Sequence, residues 1–264
     1  MANYTAKDVS TLRQMTGAGM LDCKKALDET DGDIEKAAQL LREQGKAGAA
    51  KRSDREASEG AVAAVRSGDA AAVVELRCET DFVAKSAEFV ALADELAALI
   101  AAKGEQAVGE LDDEIDNLRS TLKENISVGR VRRLVAEGGQ VVDTYLHQQA
   151  GRGVNAVGIV LEGGNEELAH DIAVHIAFAK PAFLSRDDVP AEEVAAERAT
   201  LETISRNEGK PEAALEKIVD GRMNGWFKER VLLDQSYVRD EKQTIATMLG
   251  AARVVAFAQV VVGA

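Results

Sequence analysis

Cysteine and aromatic residues are scarce in this sequence, and a long apolar run and a positive charge balance are both missing. The 264 residues include two cysteines, Cys23 and Cys78, far apart in the chain. Neither a disulfide framework nor a metal-ligand spacing can be built from such a pair, which points to a reducing, cytoplasmic compartment. Aromatic residues make up 4% of the chain, so the expected cores are helices and modest sheets packed by Ala and Val. No apolar stretch approaches the length of a membrane span. The opening MANYTAKDVS lacks the apolar segment of a signal peptide, and no membrane association is expected. The formal net charge is −13. Non-specific nucleic-acid binding rests on neutralising phosphates with Lys and Arg, so no direct contact with nucleic acid is expected either.

What is present suits a globular protein of two or three domains, with 46% hydrophobic and 29% charged residues. Residues 1–45 read as a three-helix module. Thr5 and Asp8 have capping-box spacing, and Val9, Leu12 and Met15 give a helical stripe that Gly17 and Gly19 interrupt. A second helix is expected over 20–28. A third follows the Asp31-Gly32 turn, with Asp33 as N-cap and Ile34, Ala37, Ala38 and Leu41 on one face. The polar stretch QGKAGAAKRSDREASEG (44–60) reads as a linker, set at 46–59. Asp54 and Glu56 break up its basic residues Lys46, Lys51, Arg52 and Arg55, which favours a solvated link over an RNA contact.

The main body opens with two strand-like runs, 61–66 and 71–77, around Ser67-Gly68-Asp69, a hairpin signal. Long helices are expected over 81–102 and 111–126. The pattern then recurs, with strands over 130–137, 141–147 and 154–161 and a helix over 166–179. Gly138-Gly139 separates the first two of those strands. Strands then helix, twice, imply a degenerate internal duplication. The expected fold class is α+β, with two related subdomains at 60–139 and 140–264, each carrying a small antiparallel sheet. Within the second, 190–205 and 211–227 read as an antiparallel helical hairpin that projects from the body at about 187–232. A short Gly-containing link followed by Pro at the new helix start is the signal. A short strand at 236–238, a helix at 242–250 and an apolar, β-branched strand at 253–262 close the chain.

No catalytic constellation is legible. His147, His170 and His175 are the only histidines, and the last two, five apart on one helix, point in different directions. Gly17-Ala18-Gly19 lacks the Lys-Ser/Thr ending of a phosphate loop, and no dinucleotide fingerprint follows a strand. No cofactor, metal or enzymatic activity is expected, and the balance tilts towards a binding or regulatory protein. One stretch invites a role: CETDFVAKSAEF (78–89), where Asp81 and Phe82 sit side by side at a strand-to-helix junction. Read locally, Thr80 and Asp81 are N-terminal capping residues. Phe82 and Phe89, seven apart, then share a helix face in the core.

Several segments together resemble a known family. TGAGMLDCKKAL (16–27) closely resembles the N-terminal signature of the bacterial elongation factor Ts family, and ETDFVAK (79–85) resembles its second signature. His175-Ile176-Ala177 with Lys180-Pro181, and then EKIVDGRM (216–223), match in the right order, so the resemblance spans essentially the whole chain. It implies a ubiquitin-associated-like three-helix module, a core of two related subdomains and an inserted helical hairpin. It also implies guanine-nucleotide exchange on elongation factor Tu, the GTPase that carries aminoacyl-tRNA, without bond-making chemistry. By the same resemblance, Thr80, Asp81, Phe82 and Val83 would contact the GTPase domain, with Phe82 as a wedge that disturbs the Mg²⁺ site. Arg13, Met20, Leu21 and Lys24 would meet the GTPase domain from the N-terminal module; for Leu21, where the family often has Met, core packing is the competing reading. Leu122 and Lys123, the latter where the family often has Gly, would lie near the nucleotide side. His147 would approach the partner's third domain, although the stretch after it differs from the family's shorter form. Val238 would make a contact after the hairpin, with Arg239 in place of an apolar neighbour. The chain ends at the Val260–Val262 strand, so no contact is expected from the extra C-terminal helix of some members. Family members differ in dimerisation, so a homodimer through the core is carried as an open expectation. A second reading, from a different class, is a helical adaptor that binds a ubiquitin-like or chaperone partner through the N-terminal module.

Overall fold

A computed structural model describes residues 3–264, apart from the side chains of residues 46, 47, 49 and 50. The chain opens with helices α1 (Ala6–Thr16), α2 (Met20–Glu29) and α3 (Ile34–Ala50). The capping box at Thr5 and Asp8 is formed, and Gly17, in the left-handed region, ends α1. Leu12, Cys23, Ala26, Leu27 and Ala37 form the module's small core, with Val9, Ile34, Ala38 and Leu41 packed around it. Met15 departs from the expected stripe: it sits in the last turn of α1 and is exposed.

α3 also runs further than its sequence pattern implied, through the first part of the stretch read as a linker. Ala and Lys are strong helix formers, and two glycines do not stop a helix that already has a packed face. The chain beyond it is tied down. An Arg52 Nη donates to the Arg119 carbonyl at 3.0 Å, and the Asn125 side-chain amide donates to the carbonyls of Ser53 and Arg55 at 3.1 and 2.7 Å. Lys46, also in the expected basic patch, lies outside the described side chains.

The first subdomain contains β1 (Glu59–Ser67), β2 (Ala70–Cys78), the one-turn helix α4 (Asp81–Ala84), α5 (Ala87–Lys103), α6 (Asp112–Leu122) and β3 (Ser127–Val135). The second runs through β4 (Val141–Gln149), β5 (Arg152–Glu162), α7 (Glu166–Ala179), α8 (Ala191–Asn207), α9 (Glu212–Arg230), β6 (Ser236–Tyr237), β7 (Asp240–Thr244), α10 (Ile245–Leu249) and β8 (Arg253–Val261). Strand orders are β1-β2-β3 and β4-β5-β8, all antiparallel. Each sheet is thus a hairpin whose second strand receives, after a helical excursion, a third strand on its free edge. This is the internal duplication, expressed as topology. Gly138-Gly139 is accordingly not a hairpin turn within one sheet, because β3 belongs to the first sheet and β4 to the second.

Side-chain alternation along the central strands builds four layers. In β2, Ala72, Val74 and Leu76 face α5, where they meet Phe89, Leu92, Leu96 and Ile100. In β5, Val157, Ile159 and Leu161 face α7 and meet Ile172 and Ile176. The opposite faces, with Val62, Val73, Ala156 and Val260, pack the two sheets together through small residues. A Cβ at Gly153 would lie 2.1 Å from the Val62 carbonyl oxygen, so this close approach requires glycine.

α8 and α9 form the projecting hairpin around Leu215, Val219, Met223 and Phe227, one residue per turn of α9. Two secondary-structure expectations are corrected. The helix expected over 81–102 is broken after one turn, and residues 242–244, expected as the start of a helix, belong to strand β7, which pairs with β6. No helix among the described residues is long and apolar enough to cross a membrane.

Candidate partner-binding site

The Asp-Phe pair sits on α4, directly after β2. Thr80 is the N-cap: its side chain accepts from the Val83 N–H at 3.4 Å, and Asp81 follows in the first turn, where a carboxylate suits the helix dipole. Lys85 donates to Asp81 across the turn at 2.5 Å and holds its carboxyl below the usual carboxylate range. At Ser86 the backbone turns extended (ψ 145°), and α5 starts afresh at Ala87.

This break separates the two phenylalanines. In one unbroken helix a spacing of seven would align Phe82 with Phe89. Instead Phe89 is 0% exposed in the core while Phe82 is 83% exposed. The expectation of shared core packing is therefore wrong for Phe82, and the cause is the extended backbone at Ser86 that separates α4 from α5.

The turn that carries Phe82 is braced from behind. One Glu124 carboxylate oxygen accepts from the backbone N–H groups of Glu79 and Thr80, both at 3.0 Å, and the other accepts from the Thr80 hydroxyl at 2.5 Å. Glu79 returns the contact, accepting from the Asn125 N–H at 2.7 Å, and pairs with Arg55 at 3.4 Å. Cys78 lies beneath, buried, its Sγ donating to the Thr80 carbonyl at 3.2 Å. Burial, with Glu124 nearby, pushes that thiol up to about 12, so it is not a nucleophile at neutral pH.

Residues 122–124 connect this turn to the N-terminal module. Leu122 ends α6, half-buried against the first core, and Lys123 takes the left-handed conformation (φ +60°) that caps the helix. Glycine adopts that conformation without strain, whereas a lysine does so at a cost. Here the lysine side chain is engaged, with Nζ 2.7 Å from Asp22 on α2. Beside Asp22, Met20 is 61% and Leu21 74% exposed, so Leu21 is not a core residue of the module. Lys24 on α2 and Arg13 at the end of α1 also face solvent. A continuous path of contacts thus runs from α2 through Asp22, Lys123 and Glu124 to Thr80.

The other two candidates belong to the second subdomain. His147 is exposed near the end of β4, opposite Asn155 and beside a β-bulge at Gln148. Val238 is half-buried after β6, and its N–H donates to His175 Nδ1 at 3.3 Å. Burial lowers the pKa of His175, whose Nε2 lies 3.0 Å from Gln235 Oε1, while His170 pairs with Asp143. Among the described residues no His, Cys, Asp and Glu groups are arranged to hold a metal. Sequence reasoning missed the exposed Phe178 on α7; its only signal was a large apolar residue off the helix's buried stripe.

Fold and surface together describe a two-subdomain α+β protein with Met20, Leu21, Phe82 and Phe178 exposed to solvent. The family model described as elongation factor TS matches residues 79–264. The chain is 48% identical over 278 residues to elongation factor Ts of Clavibacter michiganensis subsp. michiganensis, covering 100% of each. It is 45% identical to that of Kineococcus radiotolerans, with 96% of each covered, and 45% identical to that of Micrococcus luteus, covering 93% of this chain and 92% of the relative. The chain belongs to the elongation factor Ts family of translation elongation factors.

Proposed function

We propose that this protein is a guanine-nucleotide exchange factor for elongation factor Tu, with Phe82 as the side chain that enters the GTPase. The observation that carries this reading is the solvent-facing Phe82 ring on a turn held by Thr80, Lys85 and Glu124. A ring with two side-chain torsions on a braced turn loses little entropy when it docks.

The mechanism is thermodynamic linkage. A switch GTPase holds its nucleotide through phosphate contacts and a bridging Mg²⁺. A partner that prefers the nucleotide-free form weakens nucleotide binding by the same factor by which nucleotide weakens partner binding. A nanomolar nucleotide is held by about 12 kcal/mol, and each tenfold weakening requires about 1.4 kcal/mol. Burying one Phe contributes roughly 1.5–3 kcal/mol, one or two such steps. Phe82 alone is insufficient, and the exchange factor needs an extended surface. Thr80, Asp81 and Val83 flank the wedge. Met20, Leu21, Lys24 and Arg13 supply a second patch, and Leu122 and Lys123 join it to the first. His147 and Val238 supply a third contact from the second subdomain. No covalent bond is made or broken.

The packing of the N-terminal module favours this reading over the helical adaptor. The module is fastened to α6 by the Asp22–Lys123 and Arg42–Asp113 pairs, which ties its exposed residues to the Phe82 turn. The test is release of a fluorescent GDP analogue from elongation factor Tu. Catalytic amounts of the protein should accelerate it, and Phe82→Ala should remove most of the acceleration. Release at the spontaneous rate with the unaltered protein would overturn the proposal.

A further inference from the structure

Of six phenylalanines, two face solvent: Phe82, and Phe178 at 73% exposure. The second has no role in what has been described so far. The buried stripe of α7 runs through Ala169, Ile172, Ala173 and Ile176. Two residues beyond Ile176 is about 200° around a helix, so Phe178 points away from the core, where a charged residue would be usual. The helix end that carries it is well defined: Lys180 closes α7 in the left-handed conformation, donating to the Ile176 carbonyl at 2.9 Å, and Pro181 is buried.

The surroundings of Phe178 connect it to both second-subdomain residues assigned to the partner. Asp171, His175 and Phe178, at i, i+4 and i+7, line one flank of α7. Asp171 pairs with Arg239 at 2.7 Å, and His175 accepts from the Val238 N–H at 3.3 Å. Residues 238–239 therefore lie along the first two positions of this flank, and Phe178 extends it by one turn. On the other side, the carbonyl of the preceding residue, Ala177, accepts from the Asn155 amide at 2.7 Å, and Asn155 is the register partner of His147. Phe178 thus sits at the end of α7 whose backbone meets Asn155, on the flank that Asp171 and His175 share with residues 238–239.

We propose that Phe178 is the apolar anchor of the second subdomain for the same GTPase, filling an apolar pocket on its surface. This rests on the exchange-factor reading above. Phe82 and Phe178 sit on different subdomains and do different work: Phe82 displaces the nucleotide, while Phe178 holds the partner in register.

The experiment titrates elongation factor Tu carrying a fluorescent GDP analogue against the full-length protein, Phe178→Ala, Phe178→Tyr and Phe82→Ala. For Phe178→Ala, the GTPase concentration giving half-maximal release should rise about tenfold, within the range of buried aromatic anchors, and saturating GTPase should recover most of the rate. Phe178→Tyr, which keeps the ring, should restore half-saturation to near the parent value, and Phe82→Ala should lower the saturated rate. Thermal unfolding of Phe178→Ala should match the parent. The proposal falls if half-saturation for Phe178→Ala stays within twofold of the parent. It also falls if sedimentation converts a parent dimer to a monomer in this variant, which would assign the ring to a second copy of the chain. Failure of the unaltered protein to accelerate release is a separate outcome, and sinks the exchange reading itself.

Discussion

In the first subdomain the chain leaves β2 through Glu79, is capped by Thr80, makes one helical turn and breaks at Ser86. In the second it leaves β5 through Gly163-Gly164, is capped by Asn165 and runs into the 14-residue α7. The cap chemistry is shared: a side-chain oxygen accepts from the N–H three residues on, at 3.4 Å from Val83 and 2.8 Å from Leu168. Acidic residues follow both caps, as the helix dipole favours. What differs is the second helical position, Phe82 in one junction and Glu167 in the other, and the break that follows Phe82. A standard junction between strand and helix thereby becomes a mount for an aromatic ring. Packing needs only the second form, and the first departs from it at Phe82 and Ser86.

The largest expected effects divide the two phenylalanines of the first junction. Phe89→Ala should cost about 3–5 kcal/mol of stability in urea unfolding, as for other buried aromatics. Phe82→Ala should stay within about 0.5 kcal/mol of the parent, as an exposed site does, yet lower exchange roughly 30-fold if the ring acts as a 2 kcal/mol anchor. A large stability loss in Phe82→Ala would mean that the ring packs inside, and would end the comparison.

Next in size is the brace. Glu124→Ala leaves the Glu79 and Thr80 N–H groups without their carboxylate, at a cost of about 1–3 kcal/mol, and should slow exchange by loosening the turn. Asn165→Ala, at the equivalent junction, should cost about 1 kcal/mol and leave exchange unchanged. Equal slowing by both variants would show that the junctions do not differ in function.

A smaller effect is expected at Lys123. Lys123→Gly loses the Asp22 pair but relieves the left-handed backbone, whereas Lys123→Ala loses the pair and keeps the strain. The glycine variant should be the more stable of the two by about 1 kcal/mol, and equal midpoints in urea would refute this.

The mildest effect is on pH dependence. Burial holds the folded pKa of His175 below its usual value, so near pH 6 the unfolded chain binds the proton first. Its contribution is complete above about pH 6.5 and is lost as pH falls towards the lowered folded value. His175→Gln should remove that decline from a pH series of unfolding midpoints, and an unchanged series would exclude His175 as its source.

Much of the fold was legible because local chemistry carried it. Ser67-Gly68-Asp69 marks the first hairpin, Thr5 and Asp8 mark a helix start, and Pro211 after a Gly-containing link marks the helical hairpin. The misreadings share one cause. Residues 242–244, a polar run, read as the start of a helix but belong to β7, which pairs with β6. Ser86 offers only a weak cap signal within an otherwise helical pattern, so the break after α4 was invisible. Gly138-Gly139, by contrast, falls at the expected subdomain boundary and links β3 of the first sheet to β4 of the second.

By itself the sequence determined the α+β class, the three-helix module, the duplicated hairpins and, through ETDFVAK, the position of the candidate wedge. These follow from capping, periodicity and motif, which act over a few residues. Only the tertiary structure decided that Phe82 faces water while Phe89 does not, that Glu124 braces the Thr80 turn from 44 residues away, and that Phe178 is exposed at the end of α7. Exposure and register depend on which surfaces meet, and those surfaces come from distant parts of the chain.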